Sequence, residues 1–431
     1  MKKILLIIVF TIISINYAFS VTLTEALIQT YKNNTELNAE RENVKVSQKD
    51  LIISKADYLP SASITGSKSK EKTNKLTNQG GGDASITDVD PLIATIKLEH
   101  TLVDFGRDAE YKKKKIGINL AEAKLLKKEQ DIFYKAIEAY SGLILANEKL
   151  TINQINLSLL ERQVETDKVR LERGQITVSD LAQSESSLAG AQAQFIQAKN
   201  EIVTNKLNYE NIIGKILNPK SLEKTSESIV SIPQSLNSAI DLSKQNNPDI
   251  TIAKLELEQS EKDIEIAESD LKPTATLSLE RSYSDNLNTT YDKKEKDVLK
   301  ATVSWPFYSG GKKRVTISKN QNLKTRKRLL LDNAIKTNDT IVATAWANLQ
   351  SSKSFLNFVR LQVRAAQIAN EGITAEYERG SGRTTLDVIQ SNTLLLNAKV
   401  SLSNSERNYL LAQYNLLKSV GLLNSTYLKL E

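Results

Sequence analysis

The stretch YERGSGRTTLDVIQ at 377–390 sets a Gly-Ser-Gly turn, ringed by charges, between two long helical patterns. Within it Arg383 and Asp387 stand four residues apart, the spacing at which opposite charges meet on one helix face. The segment LERGQITVSDLAQ at 171–183 follows the same plan, with Ser179 and Asp180 where the later copy has Leu386 and Asp387. Glycine takes left-handed backbone at little cost, so both segments suit a sharp chain reversal. A guanidinium and a carboxylate so placed can pair, attract ions or tie helices together. Nothing beside them supplies a nucleophile with its base.

The remaining composition narrows the chemistry further. The chain has no Cys and a single His, His100. Disulfides, thiolate metal sites and His-based catalysis therefore drop out. GGGD at 80–83 lies in a polar loop and lacks the strand-to-helix setting of a phosphate-binding loop. No Ser-His-Asp or Cys-His arrangement is present, and no cofactor is implied. The net charge is +7, from 58 basic and 51 acidic residues. The signs alternate along most of the chain, as in ERQVETDKVRLERG, a pattern of solvated helix faces. The denser runs KKKK (112–115) and KKR (312–314) fit anionic lipid headgroups better than nucleic acid, which an exported chain rarely meets.

Export is read from MKKILLIIVFTIISINYAFS, with Lys2 and Lys3, an apolar run from Ile4 to Ile13, and a small-x-small site at Ala18-Phe19-Ser20. The sequence predicts a signal peptide over 1–20 and a mature chain from near Val21, without a lipidated Cys to anchor it. Beyond Ser20 no window reaches the roughly 20 apolar residues of a spanning helix. An exported chain of this kind is soluble, or an outer-membrane β-barrel whose hydrophobicity is hidden in alternation.

The chain is written twice. Residues 33–60 align with 246–273 at an offset of 213, with Asn33, Asn34, Ser47, Lys49, Asp50, Ile53, Asp57 and Pro60 recurring identically. LVDFGR (102–107) then answers FYSGGK (307–312), TVSDLAQS (177–184) answers TTLDVIQS (384–391), and Gly214 answers Gly421. This places a first repeat over 21–215, a linker over 216–235, a second repeat over 236–421 and a tail over 422–431. All seven prolines fall outside 105–217 and before Phe307, so nothing breaks a helix over 108–172 or 312–378. At about 1.5 Å per residue each would be about 100 Å long. Leu126, Gln130, Phe133, Ile137, Tyr140 and Ile144, then Leu188, Ala191, Phe195, Ala198, Ile202, Tyr209 and Ile213, give narrow coiled-coil stripes suited to antiparallel hairpins.

Four segments alternate instead of stepping by helical turns, near 61–70, 91–103, 274–284 and 297–308. Leu299, Ala301, Val303 and Trp305 oppose Val298, Lys300, Thr302 and Ser304, and Leu92, Ala94, Ile96, Leu98, His100 and Leu102 share one face. Strands that are apolar on one face and polar on the other suit a water-filled barrel in lipid. Trp305 and Phe307 fit an interfacial aromatic belt, and His100 a headgroup-level position. Long polar loops join each strand pair. Closed barrels start at about eight strands, so four require several protomers to share one barrel.

The doubled NN(T/P)(E/D)…(L/K)P segment, the strand-exit turns LVDFGR and FYSGGK, the paired tips and the closing Gly214 and Gly421 together resemble the TolC-type outer-membrane efflux and export channels, over essentially the whole mature chain. The resemblance implies a mainly α fold with a β-barrel membrane part: a homotrimer whose protomers each give four strands to a shared twelve-stranded barrel, above a periplasmic tunnel of long hairpins. It implies docking of a periplasmic adaptor and an inner-membrane transporter, contact with outer-membrane lipid, and no nucleic acid. By motif, Asp387 matches a constricting aspartate of the gate, and a second gate position is Gln390. Arg383 matches a latch to Asp180 and Ser179. The tips Arg173, Gly174, Arg379, Gly380 and Gly382 face the adaptor, and Leu299, Ala301, Val303 and Trp305 face lipid. The function implied is a passive exit duct for efflux or type I secretion. The competing reading is a secreted or periplasmic long-helix structural or adaptor protein without a pore.

Overall fold

A computed structural model describes residues 21–75, 85–216, 218–224, 231–287, 293–380 and 382–430. The expected signal peptide, the GGGD stretch and Ser381 lie outside the described residues. The first repeat holds α1 (Leu23–Asn33), α2 (Thr35–Ala56), β1 (Ser61–Lys68), β2 (Glu71–Lys75), β3 (Ser85–Val89), β4 (Leu92–Val103), α3 (Arg107–Glu172) and α4 (Val178–Ile212). The second holds α5 (Leu236–Asn246), α6 (Pro248–Ser269), β5 (Thr274–Asp285), β6 (Lys293–Ser304), α7 (Lys312–Glu378) and α8 (Thr385–Ser419), followed by α9 (Ser425–Leu428). Helices α3 and α7 run 66 and 67 residues without a break, as the proline-free windows require.

The chain divides into two compact units, each drawing on both repeats. One comprises Met1–Asn38, Lys128–Asn247 and Asp339–Glu431, the other Ala39–Lys127 and Pro248–Asn338. In the first unit, α1 packs its capped, amphipathic turn against α3, α4 and α8. Leu23, Ala26 and Leu27 meet Phe133, Ala136, Ile137, Tyr140, Leu143, Tyr209 and Leu417, all nearly water-free. Burial there pushes the Tyr209 and Tyr414 hydroxyls up to about 12. The repeated Asn pair explains itself here. Asn34 donates through Nδ2 to the Ile212 carbonyl at 3.0 Å, and Asn247 does the same to Ser419 at 3.0 Å, so each satisfies a carbonyl at the end of its repeat's last long helix. Gly421 takes φ +82°, and a Cβ there would overlap the Asn246 carbonyl, so only glycine closes the second repeat.

Small buried residues recur by sevens along α4 and α8. Ser184, Ala191 and Ala198 are buried on α4, and Ser391, Ala398 and Ser405 on α8. Such a stripe lets a helix approach its neighbours closely, and Ala191 and Ala198 belong to the narrow α4 stripe read from the sequence.

In the second unit, four antiparallel strands lie in the order β1-β4-β5-β6, and β2 pairs with β3 as a separate ribbon. The ribbon falls in what the sequence reads as a polar loop. It continues the first hairpin past Ser69, whose amide donates to the Pro91 carbonyl. Leu98, Leu279 and Leu299 stand in register across three strands. Leu299 and Val303 are 71% and 73% exposed, so this apolar face is uncovered in the protomer. Strand β6 begins at Lys293 and ends at Ser304, leaving Trp305 and Phe307 just beyond it. Pro306 cannot donate to a ladder, which accounts for the stop. The Trp305 indole donates to the Leu271 carbonyl at 3.1 Å. Of the four-lysine run, Lys112 pairs with Asp108 at 2.6 Å, Lys113 with Asp263 at 2.7 Å and Lys114 with Asp50 at 3.7 Å. Among the described residues no helix is long and apolar enough to cross a membrane.

Candidate functional site

Both hairpin tips are built the same way. At the first, Gly174 takes φ +69° and its amide caps the Leu171 carbonyl at 2.9 Å, ending α3. Thr177 then starts α4 as N-cap. Asp180 accepts from the Thr177 amide at 2.9 Å and from its hydroxyl at 2.8 Å, and returns its own amide to the hydroxyl at 3.3 Å. At the second, Gly380 and Gly382 take φ +72° and +81°. Asp387 accepts from the Thr384 amide at 2.8 Å and hydroxyl at 2.9 Å and donates its amide back at 3.2 Å. Asp180 and Asp387 are thus equivalent capping-box residues. The Thr384 backbone bond, then its hydroxyl, then the Arg383 charge hold the Asp387 carboxyl below its ordinary range. The Thr177 bonds do the same for Asp180.

Arg383 takes a different partner from the ones its spacing indicates. Its Nε donates to Glu376 at 2.6 Å, on its own outgoing helix. It bonds neither Asp180 nor Asp387 among the described residues, although Arg383 and Asp180 line one cleft between the tips. Ser179, Gln390, Arg173 and Arg379 are exposed. Arg173 and Arg379 make no ion pair among the described residues.

A polar cluster that the sequence reading passed over lies about one to two turns inside the tips. Asp167 of α3 is 0% exposed. It accepts from the Ser184 hydroxyl of α4 at 2.6 Å, from the Tyr377 hydroxyl of α7 at 3.1 Å and from the Gln163 amide at 3.0 Å. With the single Tyr377 proton given to Asp167, the Thr385 hydroxyl, 3.0 Å away, donates to Tyr377 in turn. Arg170 stacks over the Tyr377 ring at 4.2 Å. One buried carboxylate so joins the first hairpin to the second. The signal was present: Leu160, Val164 and Asp167 step by four and three, so a carboxylate occupies the next place in an apolar stripe.

The description "outer membrane efflux protein" matches residues 26–215 and 239–422. The chain belongs to that family. It is 26% identical to the outer membrane efflux protein BepC of Brucella suis over 98% of this chain and 90% of BepC. It is 21% identical to the alkaline protease secretion protein AprF of Pseudomonas aeruginosa over 96% of this chain and 87% of AprF. The fold matches the Campylobacter jejuni CmeC outer membrane channel with a TM-score of 0.81 at 16% identity, over 93% of this chain and 85% of CmeC. The protein is a TolC-type outer-membrane exit duct with its helical part in the periplasm, and the family is one of transport ducts, not enzymes. Channels of this type are trimeric and work with adaptors and inner-membrane transporters. The reading as a helical protein without a pore finds no support.

Proposed function

We propose that the hairpin tips close this duct at its periplasmic end, and that a docking adaptor, with its inner-membrane transporter, frees the α7–α8 hairpin to open it. The observation that carries this reading is the buried Tyr377–Asp167 bond, which ties the second hairpin to the first beside the reversal. Three Asp387 carboxylates around the trimer axis form the constricting ring, and Gln390, one turn on, leaves that ring single. Arg383 is the latch. It shares a cleft with Asp180 and rests on Glu376, so it has acidic partners on both hairpins to exchange. Arg173, Gly174, Arg379, Gly380 and Gly382 present a largely cationic tip to the adaptor, while Leu299, Ala301, Val303 and Trp305 face outer-membrane lipid. Efflux and type I secretion use the same duct, and the partner complex selects the cargo.

Single-channel recording in planar bilayers tests the gate. Tyr377→Phe, Arg383→Ser and Asp180→Ala are expected to raise conductance, and Asp387→Ala to abolish block by multivalent cations added at the periplasmic end. Unchanged conductance in the first three removes the latch, and undiminished block in the fourth removes the ring.

A further inference from the structure

We infer that the barrel lumen carries a lysine ladder on β6 that gives the exit mouth a preference for multivalent anionic cargo, rich in phosphate or carboxylate. This rests on the reading of the apolar sheet face as the lipid face. The strand register then fixes which side chains share the opposite, lumenal face. On β6 these are Lys294, Lys296, Val298, Lys300 and Thr302. Facing them on β5 are Ser284, Ser282, Glu280, Ser278 and Thr276. The one carboxylate in that column, Glu280, stands opposite Val298 on one side and Lys97 on the other. Lys97 is itself paired with Glu99. The same face of β1 carries Ser61, Ser63, Thr65 and Ser67. A neighbouring protomer's β1, the other free edge of the sheet, therefore brings hydroxyls and no carboxylate against the ladder.

Over the four strands the lumenal face holds Lys97, Lys294, Lys296 and Lys300 against Glu99 and Glu280, a surplus of two positive charges per protomer and six in a trimer. Lys296 and Lys300 make no ion pair among the described residues. On the outward face, by contrast, Arg281 is matched by Glu295 at 3.3 Å and Asp297 at 3.8 Å. Alternate residues of a strand lie about 6.8 Å apart, so Lys296 and Lys300 are separated by roughly 13 Å along the wall. An extended polyanion can span both, flanked by small hydroxyl side chains that leave room for it. Rings of lysine favour anions in pores. In a wide barrel the field of the wall reaches small ions only when the screening length is long, about 30 Å at 0.01 M salt against about 8 Å at physiological strength. Polyvalent anions that track the wall feel it in both conditions.

The experiment separates the mouth from the gate by working in an Asp387→Ala background, which lacks the gate carboxylates. Reversal potentials are measured across a KCl gradient at low ionic strength, and inorganic tripolyphosphate is added on the barrel side. The background channel is expected to prefer chloride and to be blocked by tripolyphosphate. Adding Lys296→Ser with Lys300→Ser should produce a several-fold fall in chloride over potassium permeability and loss of block, whereas Lys296→Arg with Lys300→Arg should keep both. A Lys296→Gln, Lys300→Gln pair supplies a second neutral wall should the serine pair assemble poorly. Trimeric, conducting neutral-wall channels with the parent's reversal potential and block overturn the ladder alone. If the unsubstituted protein forms no trimeric pore, the barrel reading falls and the ladder with it.

Discussion

Asp167 is held by donors from Gln163, Ser184 and Tyr377, on three helices, with no water-exposed surface of its own. Replacing it by Ala leaves three donors facing a dry seam, and an unsatisfied buried group costs about 1–3 kcal/mol. Amide exchange along the ends of α3 and α7 should therefore speed up by about one to two decades in Asp167→Ala, at 1.4 kcal/mol per decade. Exchange at the native rate would show that the cluster carries no strain of the two hairpins. The tip carboxylates behave differently with pH. Asp180 and Asp387 are depressed by their capping bonds, so their contribution is complete above the unfolded carboxylate range. It is lost only as pH falls through the lower, folded values. Cation block by the Asp387 ring should accordingly stay constant from neutral pH down to about pH 5, with the ordinary aspartate value near 3.9. A block that fades between pH 7 and 5 would mean that mutual repulsion in the trimer outweighs the cap.

At the scale of elements, β6 carries Val303 on the exposed apolar face proposed to meet lipid and Thr302 on the opposite face, proposed to line the lumen. Arg at position 303 should cost about 2–4 kcal/mol near the bilayer midplane, read as loss of heat-modifiable trimer on unboiled gels. Thr302→Arg should assemble almost normally, and equal tolerance at the two positions would remove the membrane assignment. How far such elements could be read in advance depended on whether one face was apolar. Helices α3 and α7 were legible to within a residue, because proline is absent from both windows and, in α3, the stripe repeats by fours and threes. Strand β6 was read from Asp297, four residues late, since Lys293–Asp297 is charged on both faces and carries no period of two. The β2–β3 ribbon escaped for a similar reason: EKTNK has no apolar side chain, and SITDV has only Ile86 and Val89, three apart, which gives no period of two. In the site, the Asp180–Asp387 equivalence was visible in the repeat. The Arg383–Glu376 pair was not, because a seven-residue separation across a turn has no fixed geometry in sequence.

For the molecule as a whole, the sheet order leaves β1 and β6 as open edges, with every residue of β1 exposed. Unpaired edges of this length are templates for pairing, and in lipid each bare amide or carbonyl is costly, so spanning strands close into barrels. Strands β1 and β6 run in opposite directions within the protomer, because three antiparallel pairings separate them. Joining β6 of one protomer to β1 of the next therefore continues the antiparallel pattern around a trimer. Since the natural chain has no Cys, paired cysteines report this seam without background. The period of two makes the test selective, for a slip of one residue turns a side chain to the other face. Thr302→Cys, combined in turn with Ser61→Cys, Ser63→Cys or Thr65→Cys, which share its sheet face, the one proposed to be lumenal, should yield at least one pairing that oxidises to bands at two and three times the protomer mass. Val303→Cys, on the opposite face, combined with the same three should not. Crosslinks that ignore this parity, or none in any lumenal pair of a conducting trimer, would place the protomer boundary elsewhere than between β6 and β1.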